Sequence, residues 1–285
     1  MKTQRKGIYT TIRTSGETGK RRSHLSLCVN IKLILYILYI SQSFGLAQST
    51  ATISQYHFCH RTHDIPAYAP FTEQSAVGFM FRNDFCVPEL MYKSLELHLL
   101  HDGNVFHLRT SHDGYARFGE VRVDAGYGRR FGQHLSISLT GTYIARHAGH
   151  YRSRHSFTID VSAYCQITPK WGVAVGLFNP IRMRYGITGQ EIIPMGFSLD
   201  ILHRRDEKLL FFLQARKELP GGFDTGIGLC YQPSKYLILN GNCSLRHIGI
   251  GICVPWHRLL ISIQSEWHYR ISFSNAVTAH YLFNL

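Results

Sequence analysis

Long hydrophobic runs are missing from this 285-residue sequence once its first 47 residues are passed. No later stretch stays apolar for the roughly 20 residues that a membrane-spanning helix needs. Charged residues make up only 17% of the chain, below the quarter that is usual in soluble domains. The sequence also has no Gly-x-Ser-x-Gly elbow, no Gly-Lys-Ser/Thr phosphate loop and no His-Glu-x-x-His helix. We therefore expect neither an enzyme nor a cofactor.

Cysteine usage excludes two further classes of protein. The chain has seven cysteines, and those beyond residue 47 are scattered without Cys-x-x-Cys pairs, which argues against a disulfide framework and a zinc ribbon. They are Cys59, Cys86, Cys165, Cys230, Cys243 and Cys253. A bridge between Cys243 and Cys253 across a hairpin stays open, because the register cannot be fixed from sequence.

Residues 1–47 have the order of a secretory signal peptide. A basic stretch ends at Lys20-Arg21-Arg22, an apolar core covers 33–40, and small and polar residues follow to Ala47. We predict cleavage after Ala47, with an uncleaved anchor helix as the alternative. The formal net charge of +13 is concentrated in this segment, and 23 basic and 17 acidic residues remain beyond it. The basic composition therefore does not indicate a nucleic-acid partner.

Residues 76–285 alternate apolar and polar side chains with a period of two. In 157–167, Phe, Ile, Val and Ala alternate with Thr, Asp and Ser, and 259–269 repeats the pattern with Leu, Ile and aromatic residues. Such alternation indicates strands whose two faces meet different surroundings. About fourteen segments of this kind, mostly near ten residues long, predict an all-β transmembrane antiparallel barrel over 76–285.

The lengths of the connections support the barrel. Short turns rich in Pro, Gly, Asn and Ser alternate with longer loops, as expected of bacterial outer-membrane barrels with short periplasmic turns. An even number of strands places both termini on the periplasmic side. We therefore predict that residues 48–75 form a short N-terminal periplasmic segment.

One parity of the strands carries charged residues, which suits a hydrated lumen rather than the core of a soluble β-sandwich, the main alternative fold. We expect Asp160, Asp200 and Asp224 to hydrate the lumen or to pair with Arg122 and Arg216. The predicted lumen-facing residues are Glu96, Glu120, Arg122, Asp124, Asp160, Asp200, Arg216, Asp224 and Glu266.

Four short segments, 81–90, 125–132, 168–171 and 176–180, carry a family resemblance. They resemble poorly characterised Gram-negative outer-membrane proteins that are similar to the long-chain fatty acid transporter (FadL-like) and PorV/PorQ-like barrels. The resemblance implies a monomeric fourteen-stranded barrel that passes hydrophobic molecules or assists type IX secretion. This chain departs from the transporters because residues 48–75 are too short for their lumen-plugging hatch and lack its Asn-Pro-Ala-type motif. No binding residue is therefore carried over.

These observations predict a channel or passive transporter for small or hydrophobic solutes in the outer membrane of a Gram-negative bacterium. The alternative is a non-transporting scaffold or a type IX secretion accessory protein. The expected partners are outer-membrane lipid, the barrel assembly machinery during insertion and, for the alternative, secretion-system proteins.

Two segments that are rich in histidine contain residue types that can bind ligands. His57, Cys59, His60 and His63 have residue types that bind transition metals, but a mobile periplasmic tail that happens to be rich in histidine explains them more simply, so we predict no metal site. A later loop could bind lipopolysaccharide phosphates, or could simply be solvated. Its residues are Arg146, His147, His150, Arg152, Arg154 and His155.

Overall fold

The computed structural model describes residues 52–115, 117–149, 151–185 and 191–284. The predicted signal peptide lies outside these residues. Among the described residues, no helix is long and apolar enough to cross a membrane.

Among the described residues, sixteen strands follow one another, and fourteen of them form a closed antiparallel barrel. The remaining two, β8 (Arg184–Tyr185) and β9 (Glu191–Ile192), form a separate two-stranded sheet. The strands are β1 Ser75–Asn83, β2 Met91–His101, β3 Asn104–Tyr115, β4 Phe118–Phe131, β5 Leu135–Ala148, β6 Tyr151–Gln166, β7 Trp171–Phe178, β8 Arg184–Tyr185, β9 Glu191–Ile192, β10 Met195–Arg204, β11 Leu209–Leu219, β12 Phe223–Ser234, β13 Leu237–Ser244, β14 His247–Trp256, β15 Leu259–His268 and β16 Phe273–Phe283.

The barrel closes between its first and last strands. Their register runs from Ser75 opposite Phe283 to Asn83 opposite Asn275, and consecutive barrel strands are neighbours elsewhere. Closure pairs the backbone groups that an open sheet edge would leave exposed to hydrocarbon, at several kcal/mol per group. The predicted fourteen-strand barrel is confirmed.

The two ends of the barrel differ. The terminal end carries the start of β1, the end of β16 and connections of two to four residues, whereas the loop end carries the two longest connections, from β1 to β2 and from β7 to β10. The turn between β2 and β3 shows how a two-residue turn joins two twisted antiparallel strands. Asp102 and Gly103 have φ of 48° and 73°, and positive φ at both central residues defines the hairpin turn that matches the twist of its strands.

The outward face of the strands is an apolar belt. Leu139 is 55% exposed, and large apolar side chains on the other strands, such as Phe106 and Ile227, are exposed in the same way. Their neighbours on the opposite parity, including Ser138 and Thr140, are buried inside the barrel. This distribution suits a barrel surrounded by lipid.

The inner wall is not polar along its whole length. At the terminal end, the side chains that face inward are apolar and buried. They include Ala76, Ala174, Leu202, Leu210, Ile238, Leu260 and Leu282. This apolar zone corrects the prediction that the inner face meets water along its whole length.

A plug made of two short helices fills the apolar zone. Helix α1 (Ile53–Arg61) begins at Thr52, whose hydroxyl accepts a hydrogen bond of 3.2 Å from the backbone N–H of Gln55. A 3-10 helix, Pro66–Phe71, follows. The structure thus corrects the predicted periplasmic segment over 48–75, because residues 53–71 pack inside the barrel. Burying their apolar side chains against the apolar inner wall is more favourable than leaving them exposed to water.

The cysteines beyond residue 47 are all free thiols. Cys253 lies opposite Ile238, and Cys243 lies opposite Ile248. The hairpin register therefore does not bring Cys243 and Cys253 together.

Candidate functional site

A chamber of about 740 Å³ occupies the barrel between the plug and the loop end. Plug residues such as Arg61 and Asp64 form its floor, and residues near the loop end, such as Ser244 and Ser274, form its upper wall. The nine residues predicted to face the lumen all line this chamber: Glu96, Glu120, Arg122, Asp124, Asp160, Asp200, Arg216, Asp224 and Glu266.

One buried ion pair joins the plug to the barrel wall. Arg61 of α1 donates two hydrogen bonds to Asp200 Oδ2, of 2.9 and 3.2 Å, and one of 3.2 Å to Asp200 Oδ1. The Tyr68 hydroxyl donates a further bond of 3.2 Å to Asp200 Oδ2. The side chain of Asp200 is only 2% exposed, so its charge is compensated almost entirely by these two plug residues.

A second attachment involves the opposite wall. Arg109 of β3 forms an ion pair with its cross-strand partner Asp124, and its guanidinium also donates a bond of 2.7 Å to the carbonyl oxygen of His63. The backbone N–H of Ala67 donates 3.1 Å to Ser162 Oγ. The plug is therefore held by polar contacts to several strands in addition to its apolar packing.

Burial sets the protonation of the plug side chains. Burial, with Arg61 nearby, lowers the pKa of His60 to about 4. Burial, with Arg109 nearby, lowers the pKa of His63 to about 4. Burial raises the pKa of the Cys59 thiol to about 12. At neutral pH these histidines are uncharged and this thiol is protonated.

The long connection between β7 and β10 folds inward at the loop end. Tyr185 is 3% exposed and packs with Ile144 of the inner wall and with Ile193. Its hydroxyl donates 2.9 Å to Glu120 Oε2, and the guanidinium of Arg146 lies 4.4 Å from the centre of its ring. The described part of this connection thus narrows the chamber on one side.

Three predicted lumen residues meet at this narrowing or beside it. Glu120 forms ion pairs with Arg122 and with Arg146, the latter at 2.8 Å. Asp160 accepts a bond of 2.8 Å from the backbone N–H of Asn179. Glu120 therefore links β4, β5 and the inward connection, and Asp160 fixes the start of that connection.

Pairing of Asp160, Asp200 and Asp224 with Arg122 or Arg216, one of their two predicted roles, is not seen among the described residues. Arg122 pairs with Glu120, and Arg216 pairs with Glu218 at 3.2 Å. Although Arg216 and Asp224 are cross-strand partners, the guanidinium of Arg216 extends along its own strand. Oδ1 of Asp224 is buried without a hydrogen-bond partner among the described residues.

A buried cluster of Glu96 and two histidines lies against the plug. His280 Nδ1 is 3.3 Å and His98 Nε2 is 3.8 Å from the carboxylate of Glu96. Gly78 makes room for them, because a Cβ there would lie 2.6 Å from both Glu96 Oε1 and His280 Nδ1. Thr62 of the plug approaches His98 Nε2 at 3.5 Å.

The histidine-rich plug segment does not assemble a metal site in the described part of the chain, where no three His, Cys, Asp or Glu side chains come together as ligands. His57 packs instead against the ring of Phe212, with ring centres 5.2 Å apart. The segment predicted as a later loop is instead strand, because Arg146 and His147 belong to β5 and His155 belongs to β6. His155 Nδ1 lies 2.7 Å from the Tyr143 hydroxyl. His150 and the side chain of Arg152 lie outside the described residues.

The residues that hold the plug, Arg61 and Arg109, and the tyrosine of the narrowing, Tyr185, were not predicted as functional residues. One signal could have revealed the plug. The inner parity becomes apolar towards the terminal end of several strands, as at Leu202 and Leu260. An apolar inner wall needs an apolar occupant, and residues 53–71 supply one.

No known family model matches this chain, and no curated protein matches it. Solved structures do match. CymD, a monoaromatic hydrocarbon channel, has a TM-score of 0.60 at 9% identity, over 86% of this chain and 97% of its own. The toluene transporter TodX of Pseudomonas putida has a TM-score of 0.58 at 10% identity, over 86% and 97%. TbuX, the toluene transporter of Ralstonia pickettii, has 0.58 at 7%, over 79% and 93%.

These similarities establish that the chain has the fold of outer-membrane barrel channels. They agree with the FadL-like part of the predicted resemblance. The PorV/PorQ-like part stays a prediction. At such low identities the solute of a neighbour is not transferred to this chain.

Proposed function

We propose that this protein is a channel for small solutes in the outer membrane of a Gram-negative bacterium, and that it has no catalytic role. The observation that carries the proposal is the chamber of about 740 Å³ inside a closed barrel, with a separate plug as its floor. Solutes enter the chamber from the loop end, and passage requires the plug to shift.

The surface of the barrel supports this location. Exposed apolar side chains such as Leu139 and Phe106 surround its outside, and burying them in lipid is favourable by about 25 cal/mol per Å². The terminal end, with both ends of the barrel sequence and the short turns, faces the periplasm in this arrangement. CymD, a monoaromatic hydrocarbon channel, and the toluene transporter TodX have the same fold.

A non-transporting scaffold is less well supported. Such a barrel needs no internal space, and paired side chains would be expected to close its lumen. Here the ion pairs of Arg122 and Arg216 lie on the wall and leave the chamber open. We therefore propose a channel, and this proposal includes no secretion-system partner.

Uptake by proteoliposomes tests the function directly. Vesicles with the wild-type protein should take up a neutral pentose faster than protein-free vesicles. Vesicles with Arg61→Gln should take it up faster still, because the plug loses its main ionic contact. Arg216→Gln is the matched control, since it removes an arginine whose ion pair lies at the chamber wall. No uptake by either wild type or Arg61→Gln, with the barrel folded, would refute the channel.

A further inference from the structure

Acidic residues are concentrated in the chamber although the protein as a whole is basic. Beyond residue 47 the sequence has 17 acidic and 23 basic residues. Among the described residues that line the chamber, ten are Asp or Glu, five are Arg and none is Lys. The surplus of basic residues therefore lies elsewhere on the molecule, and the chamber carries the opposite sign of charge.

The five chamber arginines are already neutralised by neighbours. Each forms an ion pair with a carboxylate, as Arg82 does with Asp84 at 3.0 Å and Arg216 with Glu218 at 3.2 Å. By contrast, Asp160, Asp224 and Glu266 line the chamber without an arginine partner among the described residues. The negative charge that faces the open space therefore exceeds the positive charge.

Buried hydrogen-bond acceptors without partners point to what the chamber binds. The side chain of Asp124 is 2% exposed and Ser198 is 5% exposed. Both line the chamber, and Asp124 Oδ1 and Ser198 Oγ have no hydrogen-bond partner among the described residues. An unpaired buried acceptor costs about 1–3 kcal/mol, so a ligand with N–H donors and a positive charge is the chemistry that suits this wall.

We infer that the chamber selects small cationic solutes, those with an ammonium or guanidinium group, over anionic ones. This rests on the proposed function, because selection matters only if solutes enter. A cleft with one sign of charge and low-dielectric walls raises the local concentration of the opposite ion by about 10-fold or more. Carboxylates that line a pore are also the usual basis of cation selectivity.

The rate at which charged reagents modify a thiol in the chamber reports the electrostatic potential there, and this measurement does not require transport. In a background with Cys86, Cys165 and Cys243 each changed to Ser and the buried chamber residue Cys230 changed to Ala, Asn242→Cys places one thiol in the chamber wall. Its reaction rates with a cationic and an anionic methanethiosulfonate of similar size are compared in the folded, detergent-solubilised protein. Gln133→Cys, in an exposed turn at the terminal end, supplies the reference ratio.

We expect the cationic-to-anionic rate ratio at Asn242→Cys to exceed the reference by about tenfold. Adding Asp224→Asn and Glu266→Gln should bring it towards the reference. The control pair Asp102→Asn and Glu207→Gln, which changes the net charge equally at exposed turns, should not. A ratio equal to the reference, a preference for the anionic reagent, or no reaction both here and at Gln264→Cys would overturn the inference. Absent pentose uptake with a high ratio would instead refute only the channel.

Discussion

Arg61 and Asp200 form the ion pair that ties the plug to the barrel wall, with side chains 16% and 2% exposed. The two residues are far apart in sequence, and neither is a neighbour of the other in any strand ladder. Because Asp200 belongs to β10 and Arg61 to α1, the pair couples two parts of the fold that could otherwise separate. Loss of this pair is therefore expected to weaken the seating of the plug without unfolding the barrel.

Arg61→Gln should release the plug while the barrel stays folded. Removing one partner of a buried pair costs about 3–5 kcal/mol, because the remaining charge is left uncompensated. The fourteen-strand hydrogen-bond network does not depend on this contact. The measurement is the reactivity of the buried Cys59 thiol, which should increase at least tenfold. Arg216→Gln, whose pair is about half exposed, should leave Cys59 protected, since such pairs contribute about 0–1 kcal/mol.

Apolar packing of the plug gives a second prediction. Ile65 is fully buried between the plug and the inner wall, so Ile65→Ala should weaken plug seating by about 2–5 kcal/mol. Thiol reactivity at Cys59 again reports the effect. The matched control is Ile137→Ala, at an outward-facing position that is 42% exposed. Equal protection of Cys59 in the two variants would show that this packing does not hold the plug.

Acidification should loosen the plug. The pKa values of His60 and His63 are lowered to about 4 in the folded state, against about 6.5 in an unfolded chain. The released plug therefore binds more protons between those values, and seating that is complete above pH 6.5 weakens as the pH falls towards 4.

The reactivity of Cys59 towards dithiodipyridine, normalised to exposed Cys86, checks this prediction. It should rise between pH 7 and pH 4.5 in the wild type. The rise should be smaller in the double variant His60→Gln and His63→Gln, which cannot take up those protons. A flat wild-type profile would show that the two histidines do not control the plug.

Membrane insertion depends on the outward apolar belt. Leu139 lies near the middle of β5 and is 55% exposed on the outer face. Leu139→Arg should destabilise the inserted barrel by about 2–4 kcal/mol, the usual cost of a cation near the bilayer midplane. Gln133→Arg, in a turn at the terminal end, should have little effect. Unfolding in lipid vesicles measures both, and equal stability would argue against a lipid-facing belt.

The period-two pattern was sufficient for the barrel because each strand meets lipid on one side and the lumen on the other. That alternation fixes the faces of Glu120, Asp160 and Glu266 without knowledge of the register. It also predicted about fourteen strands, and the barrel has fourteen.

The plug could not be predicted in the same way. Its position depends on contacts between distant residues, such as Arg61 with Asp200 and Tyr68 with Tyr164, whose ring centres are 5.0 Å apart. Short helices have little intrinsic stability in water, so residues 53–71 carry no strong local signal of their own. The ion-pair partners of the chamber aspartates could not be predicted from the sequence either, because local packing decides the direction of side chains such as Arg216, which pairs with Glu218.

Single-channel recording in planar lipid bilayers tests the central claim most directly. If the barrel is a channel that the plug closes, Arg61→Gln should show discrete conductance steps more often or of larger size than the wild type. Arg258→Gln, at an exposed turn of the terminal end, should resemble the wild type. Silent bilayers for all three proteins, with folded barrels recovered from the same membranes, would contradict the account.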